Sequence, residues 1–203
     1  MLKIAVTGGV ATGKSTFCRF FQEKGAFVVN ADLLVHQFLS SATELGKKVI
    51  ELLGPEIVVN NILNREKIAA LVFNNKTKLD KLEKLLHPAL LRKIELLYEQ
   101  VKDDPAYSCF VVEMPLLHEI GAEKFYDITI AITAKEALCV NRFTKTGFAA
   151  RQGRMRSQEK LKKADFVVEN NGSSKEFKQT FNILYRRLSL HEPRKQNPPS
   201  ADY

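Results

Sequence analysis

The stretch Leu2-Lys3-Ile4-Ala5-Val6-Thr7-Gly8-Gly9-Val10-Ala11-Thr12-Gly13-Lys14-Ser15-Thr16-Phe17 decides how the rest of the chain is read. From Gly8 to Ser15 it holds a complete G-x-x-x-x-G-K-[ST] pattern, and the residue types have mechanical reasons. Gly8 and Gly13 let the loop turn tightly and bring backbone N–H groups close to phosphate oxygens, where a Cβ would obstruct. Gly9, Val10, Ala11, Thr12 and Thr16 belong to the same cradle. Lys14 is a point charge for the β- and γ-phosphates, and the Ser15 hydroxyl is suited to ligate Mg²⁺. Leu2–Val6 reads as a buried parallel strand and Ser15–Lys24 as a helix stopped by Gly25. The helix adds its N-terminal dipole and free N–H groups to the anion site. Strand, loop and helix in that order predict a site for the phosphates of a nucleoside triphosphate.

At 203 residues the chain can build one sizeable core. No apolar stretch reaches the length of a membrane span, and the chain enters a strand directly, so no signal peptide and no membrane partner are expected. Cys18, Cys109 and Cys139 are odd in number, scattered and in apolar settings, which predicts reduced, buried thiols and a cytoplasmic protein. Its four histidines are dispersed too, without metal-ligand spacing. A monomer is the expectation. The formal charge of +8 suits either nucleic acid or a polyanionic small substrate, and its distribution matters more than its total.

A second strand, Ala26–Asn30, completes a βαβ unit and ends in Asn30-Ala31-Asp32. In open parallel sheets ligands lie off the carboxyl ends of the strands, which makes Asp32 a candidate general base on the rim that carries Lys14. Asp32 could equally be the N-cap of a helix over Leu33–Leu39. Residues 43–104 read as almost entirely helical: Gly46–Leu53, a helix from Asn64 or Arg65 to Phe73, one from 75–77 to about Leu86, and one opened by Pro88 and running to about Lys102. His87-Pro88 then reads as a helix junction. Such an insertion is where a P-loop kinase places its acceptor-binding lobe.

Cys109–Val112 is a third strand, running into Glu113. An acid at that point can hold Mg²⁺ or its water shell, or can cap the next segment. Ile128–Thr133 is the fourth strand, Lys135–Phe143 a helix, Phe166–Glu169 the fifth strand, and Lys175–Leu190 a last amphipathic helix. The expected architecture is α/β: a doubly wound, five-stranded parallel sheet in a single domain over 1–191, with a helical sub-lobe at about 43–104 and a disordered tail over 192–203. A basic segment, at about 142–163, contains Arg142, Arg151, Arg154 and Lys163. It could be a lid that closes on the transferring phosphoryl group, a solvated helical face, or a nucleic-acid patch, although aromatic interleaving there is thin.

Together these residues resemble the dephospho-coenzyme A kinase family. The resemblance rests on the glycine-rich loop, Asn30-Ala31-Asp32, Leu86-His87-Pro88, Pro115-Leu116-Leu117 with Glu119, and Lys163-Ala164-Asp165 through Asn170-Asn171-Gly172-Ser173. It implies ATP-dependent phosphorylation of the ribose 3′-hydroxyl of dephospho-coenzyme A, with ATP and Mg²⁺ bound and no nucleic acid involved. It makes Asp32 the residue that orients and deprotonates the acceptor hydroxyl, and Lys14 and Ser15 the phosphate and Mg²⁺ ligands, with Glu113 beside the metal. Arg142 leads into the lid as a catalytic and nucleotide-binding group, while Asn170, Asn171 and Gly172 lie near the base. His36, His87, Pro115 and Leu116 fall among the acceptor-side residues. The chain departs from the family pattern at Asn30 and His36, which replace an aspartate and an arginine, and at Glu113, where aspartate is commoner. A regulatory GTPase is excluded by sequence: Asn75-Lys76 is not followed by the x-Asp of a guanine-reading motif, and no Asp has Gly three residues later.

Overall fold

The computed structural model describes residues 1–73, 75–143 and 163–188. Most of the expected lid, including Arg151 and Arg154, and the expected tail lie outside those residues. The chain divides into two compact units, one formed by Met1–Asn30 with the chain from Tyr98 onward, the other by Ala31–Leu97.

The first unit is built on five parallel strands: β1 (Lys3–Gly8), β2 (Phe27–Asn30), β5 (Phe110–Glu113), β6 (Ile128–Thr133) and β7 (Phe166–Glu169). Their order is β2-β5-β1-β6-β7, so β1 is central and the direction of winding reverses at it. A crevice at the carboxyl end of β1 follows from that order. Strand β1 is buried along its whole length, as are β5 and nearly all of β6, which explains why they read as continuous rather than alternating apolar runs. Register places Val6 beside Glu113 on one side and Gly8 beside Ile132 on the other.

Helix α1 (Lys14–Gln22) packs on this sheet through Phe17, Phe20 and Phe21. The last described helix, α7 (Ser174–Leu188), brings Phe177, Phe181 and Tyr185 to the same cluster. Phe181 sits at its centre, with ring centroids 5.2 Å from Phe17, 5.5 Å from Phe20 and 4.9 Å from Phe21, the first and last edge-to-face. Helix α7 opens with a reciprocal capping box. The Ser173 N–H and hydroxyl donate to the Glu176 carboxylate at 2.7 and 2.8 Å, and Glu176 N–H returns a bond to Ser173 Oγ. Those bonds from Ser173, backbone first, hold the Glu176 carboxyl below the usual carboxylate range.

The second unit holds α2 (Ala31–Phe38), α3 (Glu44–Leu53), a two-stranded hairpin of β3 (Val58–Val59) and β4 (Ile62–Leu63), α4 (Arg65–Phe73) and most of α5 (Lys76–Val101). Three expectations are corrected here. The hairpin falls between the expected helices Gly46–Leu53 and Asn64 or Arg65–Phe73, in a stretch that reads as almost entirely helical, because Asn60 and Asn61 adopt positive φ (50° and 61°), the conformation a tight hairpin turn requires. The expected junction at His87-Pro88 is not one, since α5 runs through Pro88. Leu82, Leu90 and Ile94 lie on one helical face and are all buried, so packing on both sides of the proline outweighs the single backbone hydrogen bond it removes. Finally, α2 starts at Ala31, directly after β2, so Asp32 lies in its first turn and is not its N-cap.

No helix among the described residues is long and apolar enough to cross a membrane. Cys18, Cys109 and Cys139 are free and buried, and burial pushes all three thiols up. The native protein should therefore resist iodoacetamide at neutral pH and label at all three positions after unfolding, as read by mass spectrometry. Phe181→Ala should cost about 3–5 kcal/mol in denaturant unfolding, the usual range for emptying a buried aromatic site. A loss under about 1 kcal/mol would remove the α1–α7 cluster from the core.

Candidate active site

The loop after β1 is shaped by two backbone constraints. Gly8 has φ +141°, and a Cβ there would lie 2.2 Å from the Ile132 carbonyl oxygen of the neighbouring strand. Gly13 has φ +105°, and a Cβ there would lie 2.4 Å from Asn170 Nδ2. Both positions demand glycine for φ and for space. The loop also ties to itself and to the sheet: Thr12 Oγ1 donates to Gly9 O at 3.1 Å, and Lys14 Nζ donates to the same carbonyl at 2.6 Å. Thr7 Oγ1 donates to Pro115 O at 3.2 Å. That last bond ties the chain just after β5 to the end of β1 through a backbone carbonyl.

Beside the loop, Ser15 Oγ donates to Glu113 Oε1 at 2.7 Å, and Asn30 Nδ2 donates to Glu113 Oε2 at 2.9 Å. Glu113 is buried, and these bonds compensate the desolvation of its carboxylate. Ser15 Oγ and Glu113 Oε1 form a compact pair of hard oxygen donors. Mg²⁺ takes few protein ligands and completes its octahedron with water and phosphate oxygens, so the pair fits that ion.

On the other side, Asn170 reaches across the sheet rim. Its side-chain amide donates to Thr12 O at 2.9 Å, its N–H to Thr133 O at 2.8 Å, and its carbonyl accepts from Arg142 Nη1 at 3.1 Å. Asn171 Oδ1 accepts the Lys135 N–H at 2.8 Å, just before α6 (Glu136–Arg142). Asp165 Oδ2 accepts both the Thr129 N–H and its hydroxyl at 2.8 Å, joining β7 to β6. The Ala-Asp…Asn-Asn-Gly pattern is thus a set of clamps: one on the start of β7, one on the phosphate loop, one on α6. A cavity of about 490 Å³ opens between them, lined by Ala11, Gly13, Lys14, Ser15, Arg142 and Asn170, with Gly172 alongside. Thr16 lines it too, as do Ser174 and Phe177. The last two escape the sequence reading, although the Ser173-x-x-Glu176 spacing signals that a helix N-terminus faces this point.

The remaining expected site residues sort by position. Gly9 and Val10 belong to the loop but are not among the described residues lining the cavity, and Val10 is buried. Pro115 is buried and Leu116 partly so, and neither is among the described residues lining the cavity. Asp32, His36 and His87 belong to the Ala31–Leu97 unit. Asp32 and His36 are exposed and four residues apart in α2, hence on one helical face. His87 is half-buried within α5, and desolvation lowers its imidazole pKa against the opposing pull of Glu83.

The family model of dephospho-CoA kinase matches residues 2–176. The dephospho-CoA kinase of Chlamydia muridarum is 44% identical over 195 residues, covering 93% of this chain and 96% of its own length. That of Protochlamydia amoebophila is 39% identical over 197 residues, covering 93% and 97%. Among solved structures, the chain is similar to dephospho-CoA kinase from Campylobacter jejuni, with TM-score 0.68 and 30% identity, covering 92% of this chain and 96% of that one. It is also similar to TT1252 from Thermus thermophilus, with TM-score 0.76 and 28% identity over 94% and 98%. Shikimate kinase from Acinetobacter baumannii, with TM-score 0.50 and 12% identity over 94% and 96%, shares the fold. With a family match spanning the phosphate loop, the Glu113 pair and the Asn170 clamp alike, this chain belongs to the dephospho-CoA kinase family.

Proposed function

We infer that the chain transfers the γ-phosphoryl group of ATP to dephospho-coenzyme A, the last step of coenzyme A synthesis, and that the ribose 3′-hydroxyl is the acceptor. One observation carries the reading: the family match over residues 2–176 coincides with a cavity where Lys14 and Ser15 of the phosphate loop meet Arg142 of α6 and Asn170 beyond β7.

In this reading the loop N–H groups and the Lys14 ammonium hold the β- and γ-phosphates. Ser15 and Glu113 would hold Mg²⁺, which when bound neutralises phosphate charge. Arg142, anchored on the Asn170 carbonyl, contributes positive charge and a planar face to the nucleotide, and Asn171 and Gly172 flank the base. Asp32 orients the acceptor hydroxyl and takes its proton as the oxygen bonds to the γ-phosphorus and ADP departs. The support for Asp32 is its place two residues beyond the carboxyl end of β2, on an exposed helical first turn. His36, on the same face of α2, contributes to acceptor binding together with His87, Pro115 and Leu116. The reaction calls for no nucleic acid and no membrane, and the enzyme acts as a cytoplasmic monomer.

Two substitutions test these roles. Asp32→Asn should lower kcat with dephospho-coenzyme A by at least about 10²-fold, the scale of lost general-base assistance, while ADP binding measured by calorimetry stays within about twofold. Near-normal turnover would remove Asp32 from the mechanism. Lys14→Ala should lower kcat/KM for ATP by about 10²-fold or more through lost charge stabilisation, and an unchanged value would contradict a working phosphate loop.

A further inference from the structure

Asn30 and Glu113 are the last residues of two adjacent strands and pair directly in register. In-register neighbours on parallel strands lie roughly 4.8 Å apart, close enough for the two side chains to meet. They do: the Asn30 amide nitrogen donates to Glu113 Oε2 at 2.9 Å, while the other oxygen of the same carboxylate receives the Ser15 hydroxyl at 2.7 Å. Glutamate has a longer side chain than aspartate and one more torsion to fix, and an ionised carboxylate has room for about four acceptor contacts. A donor on Oε2 fixes the plane of the group and leaves Oε1 directed at Ser15. Only a neutral donor can do this without adding charge. An aspartate at position 30 would be acceptor-only and would set a second negative group against Glu113.

We propose that Asn30 is a positioning residue whose side-chain amide holds the Glu113 carboxylate in line with Ser15, and that it thereby sets the affinity of the nucleotide complex for its divalent cation. Asn30 acts through Glu113 and is not itself a metal ligand. The proposal rests on the phosphotransfer reading above.

The test uses the full-length protein with ADP and reads Mn²⁺ binding by electron paramagnetic resonance, alongside the Mg²⁺ concentration that gives half-maximal turnover with dephospho-coenzyme A. Loss of an outer partner of a metal ligand commonly costs about tenfold or more in metal affinity, so Asn30→Ala should weaken Mn²⁺ binding by about tenfold and raise the Mg²⁺ requirement in parallel. Its kcat at saturating Mg²⁺ should stay within about threefold of wild type, because the reacting groups are unchanged. Asn30→Ser, too short to reach Glu113 but still polar at the strand end, should behave like the alanine variant and guards against a folding defect in either one. Asn30→Asp should also bind Mn²⁺ more weakly than wild type. Tighter Mn²⁺ binding by Asn30→Asp would make position 30 a direct ligand and overturn the proposal, as would unchanged Mn²⁺ binding in a folded Asn30→Ala or Asn30→Ser. Failure of the wild-type protein to phosphorylate dephospho-coenzyme A would overturn the functional reading instead, and the Mn²⁺ titrations would still decide the role of Asn30.

Discussion

The phosphate loop has no room for side chains at its two ends. A Cβ at Gly8 would enter the backbone of β6, and one at Gly13 would collide with the Asn170 amide that holds Thr12. Everything else in the site depends on that closeness. Because β1 is central in the sheet, its carboxyl end is flanked by β5 on one side and β6 on the other. The adjacent strand β5 can therefore deliver a carboxylate, Glu113, to one flank of the loop, while on the other flank β7, one strand beyond β6, sends the Asn170 clamp across the end of β6. Helix α1 then leaves the loop with its first turn facing the cavity, where its dipole and N–H groups favour an anion.

Charge around the loop is used sparingly. Glu113 is buried with one donor on each oxygen, and Lys14 is buried with its ammonium on the Gly9 carbonyl. Buried ionised groups are tolerated only when they are paired or hydrogen-bonded, and both meet that condition through short, directional contacts. The Cys18 thiol lies close enough to feel both: after burial itself, the Glu113 charge raises its pKa further while Lys14 opposes it. Arg142 is likewise held by a backbone carbonyl, that of Asn170, and among the described residues no carboxylate pairs with it.

Much of this was legible in the chain. The loop pattern fixes strand, turn and helix together, so β1 and α1 follow from one motif, and buried parallel strands announce themselves as short apolar runs such as Phe110-Val111-Val112. Glu113 was legible as a strand-end acid because it breaks such a run. The Asn170-Asn171-Gly172 segment was legible as a turn, but its function as a clamp was not, since the partners of Asn170 lie at Thr12 and Thr133, far away in sequence. For the same reason the bond from Asn30 to Glu113 needed the register of β2 against β5. Propensity misled at Pro88, where packing around Leu82, Leu90 and Ile94 carries α5 through a residue that usually ends helices. The broad helical reading of 43–104 passes over the hairpin at Asn60-Asn61, although two consecutive asparagines between apolar pairs are themselves a turn signal.

The most direct test of the central claim is the acceptor. ADP release from ATP and Mg²⁺ should be measured with dephospho-coenzyme A, adenosine, AMP, CMP, and single- and double-stranded DNA, with the products identified by mass spectrometry and phosphorus NMR. The account predicts turnover confined to dephospho-coenzyme A, with a new monoester at the ribose 3′ position. Turnover confined to a nucleoside or nucleotide, or ATP hydrolysis stimulated by DNA, would contradict it.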